Sequence, residues 1–126
     1  MMGIEKLIIP SSTKVFLANG DRLEKMYRTQ LAFHRRLHKS YHPEAELAKT
    51  ARNIMMEGAE LMDQLNWKEW KTTRKEVDWE QVNYELADIM AFLLNACIEA
   101  GINYEDLFQY YMRKAEVNVN RQEANY

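Results

Sequence analysis

One cysteine, two prolines and four glycines are all that 126 residues contain of the residue types that staple, bend or loosen a chain. A single thiol, Cys97, cannot form an intramolecular disulfide, and its apolar neighbours read as the setting of a buried structural cysteine. So few turn formers fit poorly with a many-stranded sandwich or barrel and favour long helices. Long apolar runs are missing as well. The longest, Ile89 to Leu94, falls far short of the ~18 residues that mark a membrane span. Charge of one sign is not in excess: 17 Lys and Arg stand against 19 Asp and Glu, for a net −2. That excludes a dominant nucleic-acid-binding field and leaves only local basic patches to consider. Residues 1–20 lack the ordered basic, apolar and small-residue regions of a secretory leader. The expectation is a cytoplasmic protein in reducing surroundings, with neither a membrane nor a nucleic acid as partner.

What is present is ordinary globular material, 47% hydrophobic and 29% charged, enough for one domain. Residues 1–20 read as an arm, with Leu7-Ile8-Ile9 and Val15-Phe16-Leu17 extended around Pro10. From residue 21 to 126 the pattern is helical. Asp21 is a good N-cap, and Leu23, Met26, Gln30, Phe33 and Leu37 step along one face with Gln30 as its polar exception. Pro43 suits the first position of a second helix reaching about Leu65, in which Leu47, Ala51, Ile54, Gly58, Leu61 and Leu65 share a stripe. Gly58 predicts a close approach to the backbone there. Asp78 with Gln81 reads as a capping box for a third helix that ends at Gly101. From Leu86 to Ile98 only Asp88 and Asn95 are not apolar, which predicts a central, buried helix. Asn103 with Asp106 opens a fourth helix running to about Gln122. Four helices on short connections make an all-α four-helix bundle.

The third and second helices carry the chemistry. Glu57 and Glu60, and Glu85 and Asp88, are spaced i, i+3, so each pair points one way. Their neighbours are Met55, Met56, Leu61, Met62, Leu86, Ile89, Met90 and Phe92, among which an unpaired carboxylate is costly to bury. No Lys or Arg lies between Arg52 and Lys68, or between Lys75 and Arg113. Divalent cations are the natural compensation, and an all-oxygen set suits Mg²⁺ or Mn²⁺. The competing reading leaves these acids solvated on the helix flanks. A di-iron bundle would want Glu-x-x-His pairs, and none of His34, His38 and His42 has Glu three residues before it.

Three further groups stand out. Lys114, Asn118 and Arg121 share one face of the last helix and match a polyphosphate, or else form a solvated face. Trp67-Lys68-Glu69-Trp70-Lys71 could cap a nucleotide, or could close the end of the bundle with its lysines in water. The run His34 to Lys39 is basic but has no interleaved aromatic residues, so a solvated face fits it better than nucleic acid.

Glu57-Gly58-Ala59-Glu60 followed by Glu85-Leu86-Ala87-Asp88 resembles the ExxE…ExxD metal motif of the all-α NTP pyrophosphatases, the MazG and dimeric dUTPase superfamily. The tail Tyr110-Tyr111-Met112-Arg113-Lys114, Asn118, Arg121-Gln122 and Tyr126 is similar to the ending of dimeric dUTPases and of the T-even phage dCTPase–dUTPase branch. Met26 to Leu37 and the WKxWK segment at Trp67 to Lys71 resemble that branch too. The resemblance covers residues 21–126. It implies that Glu57, Glu60, Glu85 and Asp88 hold Mg²⁺, that Glu60 orients or deprotonates the attacking water, and that Lys114, Asn118 and Arg121 hold the phosphate chain. Gln30, His34, Trp67 and Trp70 would stand around the base. The implied reaction is NTP plus water giving NMP and pyrophosphate, on dUTP or dCTP. His34 stands where that branch carries Asn, which keeps dGTP and dATP as alternatives, and Asn125 replaces a Gly near the end. The resemblance further implies a phage origin, with the host cytoplasm as the setting. The chain is short for the branch, so a homodimer or homotetramer is expected to complete the bundle. A non-catalytic metal- or partner-binding helical protein is the competing function.

Overall fold

In a computed structural model, the described residues are 21–124. The expected arm over residues 1–20, and Asn125 and Tyr126 of the tail, lie outside the described residues. Four α-helices and no strand occur among the described residues: α1 (Arg22–Leu37), α2 (Pro43–Asp63), α3 (Trp79–Ala100) and α4 (Tyr104–Glu123). The all-α expectation holds.

Local chemistry sets each boundary. The Asp21 side chain accepts from the Glu24 amide at 3.0 Å, satisfying one of the orphan donors at the start of α1. Pro43 opens α2, and the cap is His42, whose Nδ1 accepts from the Ala45 amide at 3.3 Å. Asp78 caps α3 through the Gln81 amide. The reciprocal half of the expected capping box is absent, because the Gln81 side chain donates to Glu85 instead. Gly101 ends α3 at φ 77°, a left-handed conformation that costs a side-chain-bearing residue ~1–2 kcal/mol. Asn103 and Asp106 form a complete capping box on α4.

α2 and α3 pair along their lengths as a helical hairpin, α1 lies on α3, and α4 packs on α1. Tyr27, Leu94, Cys97 and Ile98 form the buried core, with Leu23, Leu31, Ile102, Tyr104 and Leu107 around them. Tyr27 fastens it by donating to the Ile102 carbonyl at 2.9 Å. Tyr104 donates to Glu24 and accepts from Arg28, tying α4 to α1. Cys97 is buried as expected, and that burial pushes its thiol up from its ordinary value.

Two expectations need correcting. α3 is only half central: Val82, Glu85, Leu94, Cys97, Ile98 and Glu99 are buried, whereas Leu86, Met90 and Leu93 are exposed. Among the described residues the helix meets α2 and α1 and touches the start of α4, while the flank bearing Leu86, Met90 and Leu93 stays exposed. Gly58 has nothing within 4 Å of where a Cβ would stand, so no described backbone or side chain needs the space. The α2–α3 loop is closed on itself: the Asn66 amide donates to the Lys75 carbonyl at 3.0 Å and its oxygen accepts from the Lys75 amide at 2.9 Å. No described helix is long and apolar enough to cross a membrane.

Candidate metal centre

The hairpin brings the two acidic pairs together. One oxygen from each of Glu57, Glu85 and Asp88 lies within 4.8 Å of the others. Glu85 is buried, Glu57 half-buried and Asp88 exposed, so the trio runs from the helix interface to its rim. Glu60 is exposed and falls outside this tight group, but it stands near enough to act on Glu57.

The trio is electrostatically unfinished. Partial burial, then the charge of Glu60, hydrogen bonding with Glu60 and Glu85, and the charge of Asp88 push the Glu57 carboxyl up to about 7 from an ordinary 4.5. Like charges this close cannot all ionise without a counter-charge. Oε2 of Glu57 and Oε2 of Glu85 are buried and no protein donor reaches either. Neighbouring carboxyls can share a proton between them but cannot supply one each. Glu85 Oε1 does have a partner, the Gln81 amide at 3.0 Å, which fixes its rotamer from one turn earlier. No Lys or Arg pairs with any of the three among the described residues. Buried oxygens lacking donors, a surplus of negative charge and an oxygen-only set all fit a hard divalent cation, Mg²⁺ or Mn²⁺, better than Zn²⁺.

The residues expected around a base are partly engaged with each other. Gln30 on α1 donates to Asn95 Oδ1 on α3 at 2.9 Å. One turn along, His34 Nε2 and Glu99 Oε2 share a hydrogen bond of 2.8 Å with both side chains only 2% exposed. His34 also stacks near His38 and against the edge of Tyr41. Asn95 and Glu99 were not singled out from the sequence, although Asn95 was visible as a polar break in an apolar helix. Trp67 and Trp70 meet edge to face at 5.9 Å in the α2–α3 loop, both exposed. Lys114, Asn118 and Arg121 are exposed on α4. That helix makes its main helix contact with α1, and none of the three is among the residues drawn together at the acid trio.

Comparison with known proteins finds similar sequences. The sequence model of the family described as dUTPase matches residues 22–105. The dCTP pyrophosphatase of Enterobacteria phage T4 is 32% identical over an alignment of 71 residues, and the match covers 48% of this chain and 42% of that protein. The match therefore spans less than half the length of that relative. No solved structure matches the chain.

Proposed function

The chain belongs to the dUTPase family, and from that premise we propose that it is a Mg²⁺-dependent nucleoside triphosphate pyrophosphatase acting on dUTP or dCTP. The observation that carries the reading is the meeting of Glu57, Glu85 and Asp88 within 4.8 Å, with two buried oxygens that no protein donor satisfies. The choice of pyrimidine nucleotide follows the family description and the printed activity of the phage T4 relative.

In this reading Glu57, Glu85 and Asp88 hold the ion. When bound, Mg²⁺ neutralises charge on the phosphate oxygens and lowers the pKa of bound water. Gln81 keeps the Glu85 carboxylate aimed into the site. Glu60, exposed beside Glu57, takes the proton from the attacking water. The water oxygen forms a new bond to phosphorus, the bond between the α- and β-phosphates breaks, and the electron pair leaves on pyrophosphate. No covalent nucleophile is required. Lys114, Asn118 and Arg121 steady phosphate charge, and Gln30 lies beside the base.

The same reading includes a homo-oligomer, a dimer or a tetramer. Tyr110, Tyr111, Met112, Val117 and Val119 on α4, and Leu86, Met90 and Leu93 on α3, are exposed, more apolar surface than a stable monomer usually leaves in water. A second copy would cover it and would bring an α4 cation face to an acidic hairpin. The proposed setting is the cytoplasm, that of the host for a phage-encoded chain.

The test is a substrate panel. The protein incubated with each dNTP and NTP in Mg²⁺ is expected to give monophosphate and pyrophosphate, fastest with dUTP or dCTP. Orthophosphate as the only product, or no turnover of any nucleotide, would refute the reading.

A further inference from the structure

Beyond the acids, the loop end of the hairpin forms an open cavity of about 480 Å³ lined by Asp63, Leu65, Asn66, Trp67, Lys68, Lys71, Thr73 and Lys75. Its size is that of a small-ligand site, and its chemistry is cationic: three lysines face one carboxylate. The three lysines are not equivalent. The Lys75 ammonium donates to the Asp63 carbonyl, capping the end of α2, where carbonyls lack helical partners, while Asn66 grips its backbone. Lys75 therefore builds the cavity. Lys68 and Lys71 are brought to one side by a turn closed by the Lys71 amide on the Lys68 carbonyl at 3.0 Å, and neither ammonium has an ion-pair partner among the described residues.

The aromatic wall argues against this cavity being a base-stacking slot. One face of Trp67 carries the Lys68 ammonium at 5.3 Å from its centroid, and Trp70 stands against it edge to face at 5.9 Å. A planar base would have to displace an ammonium from the ring. An anion would instead meet that ammonium, and the Thr73 hydroxyl and Lys71 supply further donors. Position along the helix agrees. Asp63, in the cavity wall, closes α2, the same helix that carries Glu57.

We infer that this cavity is an anion subsite that receives the pyrophosphate end of the nucleotide, with Lys68 and Lys71 as its phosphate-binding groups. The identity of the anion rests on the pyrophosphatase reading; the subsite itself does not. Inorganic pyrophosphate and inorganic phosphate are titrated into the full chain without divalent metal, read by tryptophan fluorescence and calorimetry. Pyrophosphate is expected to bind saturably and more tightly than phosphate. Lys71→Ala and Lys68→Ala should each weaken it by roughly tenfold or more, and Lys71→Arg should retain most of it, with circular dichroism showing the fold intact. Lys49→Ala, an exposed lysine outside both groups of phosphate-binding residues, is the control and is expected to leave this binding unchanged, and Lys114→Ala tests the anion face on α4. No saturable pyrophosphate binding, affinity equal to wild type in both loop-lysine variants, or loss confined to Lys114→Ala would each overturn the inference. Lysine-dependent pyrophosphate binding in a protein that hydrolyses no nucleotide would sink the enzymatic reading and leave the subsite standing. Turnover with lysine-independent binding would do the reverse.

Discussion

Replacing Glu57 by Gln offers the sharpest test of the acidic trio, because its proton and a metal ion compete for the same oxygens. The folded carboxyl is raised to about 7 from 4.5. Below the lower value, folded and unfolded chains both hold the proton. As pH rises between the two values, the unfolded chain releases it while the folded chain keeps it, so metal-free stability falls across that window and levels off above it. Metal binding needs the ionised form. At pH 6 about one molecule in ten is ionised at this site, against nearly all at pH 8, so apparent Mg²⁺ affinity should be about tenfold lower at pH 6. Tenfold corresponds to ~1.4 kcal/mol, on the order of 5 °C in melting midpoint for a domain of this size. The assay is thermal unfolding with and without Mg²⁺ at both pH values. Wild type should show the larger Mg²⁺-induced shift at pH 8. Glu57→Gln should show a flatter pH dependence without metal and little shift with it. A wild-type shift independent of pH, or one that survives intact in Glu57→Gln, would refute the coupling.

Two stability predictions follow from other parts of the fold. His34→Ala leaves the Glu99 carboxylate buried, with Oε1 already lacking a partner, and should cost about 3–5 kcal/mol in urea unfolding; the double change His34→Leu with Glu99→Leu should recover much of that loss. Gly58→Ala adds a methyl where nothing stands within 4 Å and should stabilise by ~0.5–1 kcal/mol, whereas Gly101→Ala at φ 77° should destabilise by ~1–2 kcal/mol. A destabilising Gly58→Ala would instead report a second copy packed against that face.

Helix ends were legible because their causes are local. Asp21, Pro43, Gly101 and the Asn103–Asp106 pair each act within one turn, and the structure uses all of them. The acids were legible for the same reason, since i, i+3 spacing fixes a shared direction once a helix forms. What could not be read was the rotation of one helix against another. That rotation decides that Gln30 meets Asn95 and His34 meets Glu99, both pairs 65 residues apart. It also draws Glu57, Glu85 and Asp88 into a tight trio and leaves Glu60 at its edge. The cavity in the α2–α3 loop was hidden by similar means: Asn66 bridges nine residues to Lys75, and nothing in the composition of a charged loop announces that closure.

The acids and the loop lysines all belong to the single stretch from Glu57 to Asp88, and they meet as soon as α2 folds back on α3. Closing so short a segment forfeits little chain entropy, and contacts of this kind form early. The Gln30 and His34 partnerships, by contrast, wait for a distant helix to dock. A chain arranged in this order can lose the docking of α1 locally while the charged hairpin beneath it keeps its geometry.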